Sequence, residues 1–103
     1  MSAFGMVGKF EVDPQNREEL LAILAEAAAM MNAYEGCQLY TVSKDADDEG
    51  KVWVMELWTT KADHDAALTV PRVRELIGQA MPLLTAQPDG ASLIPVSGEP
   101  KTS

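Results

Sequence analysis

Residues 51–59, KVWVMELWT, constrain the fold more than any other part of the chain. β-Branched and aromatic residues dominate the stretch and neither Gly nor Pro interrupts it, so it reads as a central β-strand. A period of two places Val52, Val54, Glu56 and Trp58 on one face and Trp53, Met55, Leu57 and Thr59 on the other. Both faces are largely apolar, and such a strand needs cover on both sides. One carboxylate, Glu56, stands among the side chains of its face, which implies a partner subunit or a pocket against that face. Trp53, on the opposite face, reads as core under a helix.

The flanking segments supply the cover. Residues 4–12 alternate as a first strand, with Phe4, Met6, Gly8, Phe10 and Val12 on one face. Gly5 and Gly8 mark positions where a side chain is absent and a neighbour can come close. Asp13 and Pro14 end the strand. Asp13 or Asn16 caps the helix that follows, Asn16 standing three residues before Glu19 in capping-box spacing. Leu20, Leu24, Ala27 and Met31 then form an apolar stripe at helical spacing. Glu35 and Gly36 stop this helix, with Gly36 suited to a positive φ. Residues 37–43 are a second strand, with Cys37, Leu39 and Thr41 opposed to Gln38, Tyr40 and Val42. The acidic loop 44–50 closes a hairpin into the central strand, and its Asp residues read as solvated turn formers. Thr60 to Asp63 open a second helical region whose face carries His64, Ala67, Leu68 and Pro71, turning His64 toward the sheet. Pro71 breaks the run or begins a new helix, and Val73, Leu76, Ile77, Ala80 and Met81 form the next stripe. Residues 91–96 read as a short final strand, with Pro95 fitting an edge or a strand end.

The order strand, helix, strand, strand, helical region, strand is the split βαβ, ferredoxin-like plan of an α+β protein, with an antiparallel sheet and helices on one face. The other face then calls for the same face of a second copy, an isologous homodimer. Residues 1–103 are expected to form one domain, with a core of about 4–96 and a polar tail at 97–103.

Composition narrows the function. A formal charge of -8 argues against nucleic acid as a partner. The single Cys37 cannot form an internal disulfide and suits a reducing compartment. Neither a secretory leader nor an apolar run long enough to span a membrane is recognisable, so a cytoplasmic protein is expected.

The candidate site residues are few. Trp58 and Glu56 share a strand face, and a flat ring beside a carboxylate suits a flat, partly polar ligand; the same pair also fits a core or interface tryptophan with a paired carboxylate. Tyr40 offers a hydroxyl to the same ligand or to an interface. His64 is the only imidazole. It suits proton transfer near neutral pH, or a structural hydrogen bond fixing its helix to the sheet. One histidine and one cysteine supply no metal-ligand set. Asp45, Asp47, Glu49, Gly50 and Glu56 fall on a calcium-loop spacing, but the exiting segment is a strand, and a solvated hairpin is the expected outcome.

Taken together, Asp13-Pro14, Glu35-Gly36-Cys37, Tyr40, Glu56-x-Trp58, Lys61-Ala62-Asp63-His64 and Pro71-x-Val73 resemble the antibiotic biosynthesis monooxygenase family over roughly residues 6–84. The resemblance implies a dimeric α/β barrel. It also implies a cofactor-independent oxygenation of a phenol, quinol or polycyclic aromatic, with molecular oxygen as co-substrate and no bound metal or flavin. Under it, Trp58 and His64 are the catalytic candidates, and Trp58, Glu56 and Tyr40 the substrate-binding ones. The alternative is a non-enzymatic, dimeric small-ligand-binding or structural protein of the same fold. Haem-degrading relatives use an Asn on the first strand and a His ten residues after the central Trp. Here the first strand has no Asn, position 68 is Leu, and His64 follows Trp58 by only six residues.

Overall fold

The computed structural model describes residues 3–98. Four strands, β1 (Phe4–Glu11), β2 (Cys37–Lys44), β3 (Lys51–Trp58) and β4 (Asp89–Leu93), form one sheet in the order β2-β3-β1-β4. All three pairings are antiparallel. With α1 (Arg17–Asn32) between β1 and β2, and α2 (Lys61–Ala67) and α3 (Pro71–Ala80) between β3 and β4, this is the ferredoxin-like plan.

α1 forms where the alanine-rich stripe lies, and its buried residues are Leu20, Leu24, Ala27 and Met31. Asp13 caps a 3-10 turn at Pro14–Asn16, accepting a hydrogen bond from the Gln15 amide, and α1 continues from it. Asn16 occupies the N-cap of α1 without a side-chain cap bond. Pro71 begins a new helix: it stands in the first turn of α3, where its missing N–H costs nothing. Val73, Leu76 and Ala80 are buried, whereas Ile77 and Met81 stay exposed. Arg72 reaches back to both carboxylate oxygens of Glu26 at 2.6 and 2.9 Å, tying α3 to α1.

Which face of β3 the helices cover is the reverse of the sequence expectation for Trp53. Val52 and Val54 pack with Leu20, Leu24 and Ala80, and Trp58 packs with Met31, Ala67 and Val73. The Glu56 face is therefore under the chain's own helices. Trp53 lies on the open face, where its indole N–H donates to Asp45 Oδ2 at 2.7 Å. Strand register places Val7, Thr41, Met55, Leu57, Ala91 and Leu93 on that open face as well, and Met55 and Leu93 are 47% and 48% exposed.

Three local expectations need correction. A register shift between Cys37 and Leu39 turns Cys37 to the same side as Tyr40 and Val42, where it packs near Trp58. Gly36 does not take a positive φ. Its missing side chain instead admits α2: a Cβ there would stand 2.6 Å from the Cβ of Asp63. β4 begins two residues before position 91 and ends before Pro95, because Asp89 and Gly90, turn formers by type, pair with Lys9 and Gly8. Of the polar tail, residues 99–103 lie outside the described residues.

Candidate functional site

The side of the sheet that carries the helices is not filled everywhere. A cleft of about 310 Å³ is lined by Met6, Gly8, Phe10, Tyr40, Val54 and Glu56, with the 88–92 segment along its edge. Register explains the composition. Met6 pairs with Glu56, and Tyr40 pairs with Glu56 from the other side, so a thioether, a carboxylate and a phenol stand in one row across β1, β3 and β2. Gly8 is opposite Val54 and Gly90, and its missing side chain leaves the room.

Glu56 is a carboxylate in the middle of a strand under helices, and its side chain is only 14% exposed. What makes this tolerable is two residues further along the same face. The Trp58 indole N–H donates to Glu56 Oε1 at 3.0 Å, and Trp58 itself is completely buried. Burial pushes the Glu56 carboxyl above its ordinary value, while the Trp58 hydrogen bond and then His64 pull it back. Tyr40 is held as a neutral hydroxyl: burial, followed by the negative charge of Glu56, pushes its pKa upward. The Cys37 thiol is raised too, chiefly by burial.

His64 reaches this row from the helix. Thr60 caps α2, its hydroxyl accepting from the Asp63 amide at 3.1 Å, and the Thr59 amide donates to the Gly36 carbonyl at 2.8 Å. With no side chain at Gly36, α2 sits close enough for the His64 ring to lie edge-on to Trp58, 5.7 Å between centroids, and 5.1 Å from Phe4. His64 Nε2 is 3.8 Å from Glu56 Oε1, and Nδ1 is 2.9 Å from Asp65 Oδ1. Asp65 Oδ2 in turn accepts from Lys61 at 2.8 Å, and Lys61, then His64, hold the Asp65 carboxyl below its ordinary range.

The structure thus brings all four sequence candidates together, in two layers. Glu56 and Tyr40 line the cleft. Trp58 and His64 stand behind Glu56, and neither is among the residues that line the cleft. Met6 and Phe10, absent from the sequence-derived site, are cleft walls. Their alternation with Phe4 and Val12 carried the signal, but the pairing of Met6 with Glu56 required the strand register. Asp65 joins the site through His64. The calcium-like loop is a hairpin held by two of its own carboxylates: Asp45 Oδ1 accepts from the Asp47 and Asp48 amides, and Asp48 Oδ1 from that of Gly50. Among the described residues, no three His, Cys, Asp or Glu side chains converge into a metal-binding group. No helix among them is long and apolar enough to cross a membrane.

Comparison with known proteins places this architecture. The family described as antibiotic biosynthesis monooxygenase matches residues 3–79. Among solved structures, a candidate antibiotic biosynthesis monooxygenase from Chloroflexus aurantiacus J-10-fl is 34% identical, with a TM-score of 0.84, over 96% of this chain and 98% of that one. A candidate member from Caulobacter crescentus CB15 is 21% identical at TM-score 0.88, over 93% and 92% of the two chains. Another from Nitrosomonas europaea is 11% identical at TM-score 0.89, over 96% and 95%. These last two share the fold and carry no further argument. No curated protein matches the chain.

Proposed function

The chain belongs to the antibiotic biosynthesis monooxygenase family, and from that premise we propose that it oxygenates a small phenol, quinol or fused-ring aromatic with molecular oxygen and without a bound metal or flavin. The observation that carries the reading is the row across the cleft. Tyr40 and Glu56 face the same space from neighbouring strands, the side chains beside them on the sheet, Met6, Phe10 and Val54, are apolar, and Asp89 and Ser92 stand along the edge. A ligand with a flat apolar body and one hydroxyl matches that row. Glu56 accepts its hydrogen bond and the neutral Tyr40 donates one to the same oxygen. At about 310 Å³ the cleft stands at the small end of ligand pockets, which favours a two- or three-ring ligand.

Chemically, the substrate loses its hydroxyl proton, and the electron-rich anion passes one electron to oxygen. The radical pair recombines at a ring carbon, and loss of water leaves a carbonyl there. One oxygen atom stays in the quinone and the other leaves as water, all four electrons coming from the substrate. The protein's part is to hold the anion against a fixed donor and to keep water away. Trp58 and His64 act through Glu56. The same reading takes the chain as one domain working as a cytoplasmic homodimer, with the open sheet face around Met55 and Leu57 against its counterpart.

The test is aerobic oxygen uptake with a panel of dihydroxynaphthalenes and anthrones, run beside Gly8→Val. A Cβ at Gly8 meets nothing closer than the Phe10 ring at 3.7 Å, so this variant is expected to fold and to narrow the cleft beside Phe10. Uptake in the wild type that disappears in Gly8→Val supports the proposal. Uptake unchanged by the narrowed cleft removes the site, and no uptake with any ligand favours a non-enzymatic dimer of the same fold.

A further inference from the structure

We propose that Glu56 and His64 form a two-step proton acceptor for the substrate hydroxyl, with Asp65 as the residue that orients the imidazole and opens the way to solvent. The inference rests on the reading that the cleft binds a phenol, and it adds where the proton goes.

The geometry dictates the direction. Trp58 and His64 both approach Oε1 of Glu56, which leaves Oε2 to a ligand in the cleft. Asp65 is held as a carboxylate by Lys61 and His64, so it can only accept from Nδ1 at 2.9 Å. In the neutral imidazole that bond places the proton on Nδ1 and leaves the lone pair of Nε2 facing Glu56. A separation of 3.8 Å is roughly 1 Å beyond a direct hydrogen bond, so the transfer requires the two groups to close by about that much.

The step balances simply. The phenol O–H breaks, its electron pair stays on the phenolate oxygen, and the proton forms an O–H bond on Glu56. The protonated carboxyl then turns about its Cγ–Cδ bond, so that the O–H faces His64 and the other oxygen takes the Trp58 hydrogen bond; the O–H bond breaks as Nε2 takes the proton, and the imidazolium stands between two carboxylates. Nδ1–H is released past Asp65, which is 52% exposed and so in contact with water. Asp89, at the edge of the cleft, is engaged by Lys9 at 3.9 Å and by the Gly90 amide, and the titratable groups beside Glu56 on the neighbouring strand are Tyr40 and Cys37, both held neutral. Neither offers a competing acceptor. A lone buried Glu56 would instead have to keep the proton for the whole turnover, since its cleft side is closed by the ligand.

His64 is the only histidine, so nitrogen-15 NMR of untagged protein reads its tautomer without ambiguity. At pH 8 the proton is expected on Nδ1 with Nε2 bare; a proton on Nε2 overturns the relay, whatever the activity. In oxygen-uptake assays with a dihydroxynaphthalene, Asp65→Asn is expected to lower kcat at least about tenfold with KM within about twofold, and to alter the pH–rate profile. His64→Ala is expected to lose roughly 10²–10⁴ in kcat and to regain part of it in millimolar imidazole, a rescue that a purely structural role does not allow. If His64→Ala does not fold, Asp65→Asn, at an exposed position, still decides. Unchanged kinetics in Asp65→Asn overturn the relay and leave the phenol reading standing. Absent oxygen uptake in the wild type with the Nδ1–H tautomer present overturns the phenol reading and leaves the relay geometry supported.

Discussion

Replacing Trp58 by Phe isolates the contact on which the site depends. Trp58 is fully buried, and its indole N–H is the protein donor closest to Glu56 Oε1 at 3.0 Å. Two losses follow. Trimming the indole to a phenyl leaves a void among Phe4, Met31, Ala67 and Val73, worth roughly 1–2 kcal/mol at the lower end of large-to-small core changes. Removing a donor to a buried carboxylate adds about 1.5–3 kcal/mol, partly relieved because Glu56 can take up a proton. The sum is about 3 kcal/mol at pH 7, read from urea unfolding followed by circular dichroism at matched protein concentration. The two parts separate in a double-mutant cycle. In a Glu56→Gln background the charge-linked part is gone, so Trp58→Phe is expected to cost about 1–2 kcal/mol less there than in the wild type. Additivity within about 0.5 kcal/mol would mean that the indole fills space and does not support the carboxylate.

Three further outcomes follow from the same geometry. Burial raises the Glu56 carboxyl above 4.5, so the native state keeps a proton where the unfolded chain has lost it. Stability therefore falls as pH rises through the folded value, and Glu56→Gln should raise Tm at pH 7.5 with a gain that vanishes near pH 4; a constant offset would refute this. Gly36→Ala drives a Cβ to within 2.6 Å of Asp63 and should cost about 1–3 kcal/mol. Gly78→Ala, with open space around it, should gain roughly 0.5–1 kcal/mol by helix propensity, and equal effects in thermal scans would contradict the close approach of α2. On the proposed pairing of open sheet faces, the wild type should sediment as a dimer and Met55→Asp, at a position 47% exposed, as a folded monomer; a dimer in both would put the interface elsewhere, and a monomeric wild type would refute the pairing.

Much of the fold was legible because its periods are clean. The stripe Leu20, Leu24, Ala27, Met31 and the alternation in β1 and β3 reappear as buried faces. The side of β3 that the helices cover was not legible, since Val52 and Val54 are as apolar as Met55 and Leu57, and only packing against α1 and α3 decides. The bulge at Cys37 is a register event between strands, and no local residue type announces it. Asp89 and Gly90 form a strand against their own propensity because β1 offers a partner edge. At the site, Glu56 stood out as a charge in an apolar strand, and His64 as an imidazole on a sheet-facing turn. Their meeting depended on Gly36 letting α2 approach, a long-range effect that the sequence expresses only as an absent side chain.

The most direct test of the central claim is isotopic. Wild-type protein, freed of metals by chelation, is incubated with an anthrone under oxygen-18 gas, and the product is analysed by mass spectrometry beside Glu56→Gln. One heavy oxygen atom in the quinone at a rate far above the protein-free control, and a large loss of that rate in Glu56→Gln, are expected. Label incorporation equal to the control, or undiminished by Glu56→Gln, would contradict oxygenation at this cleft.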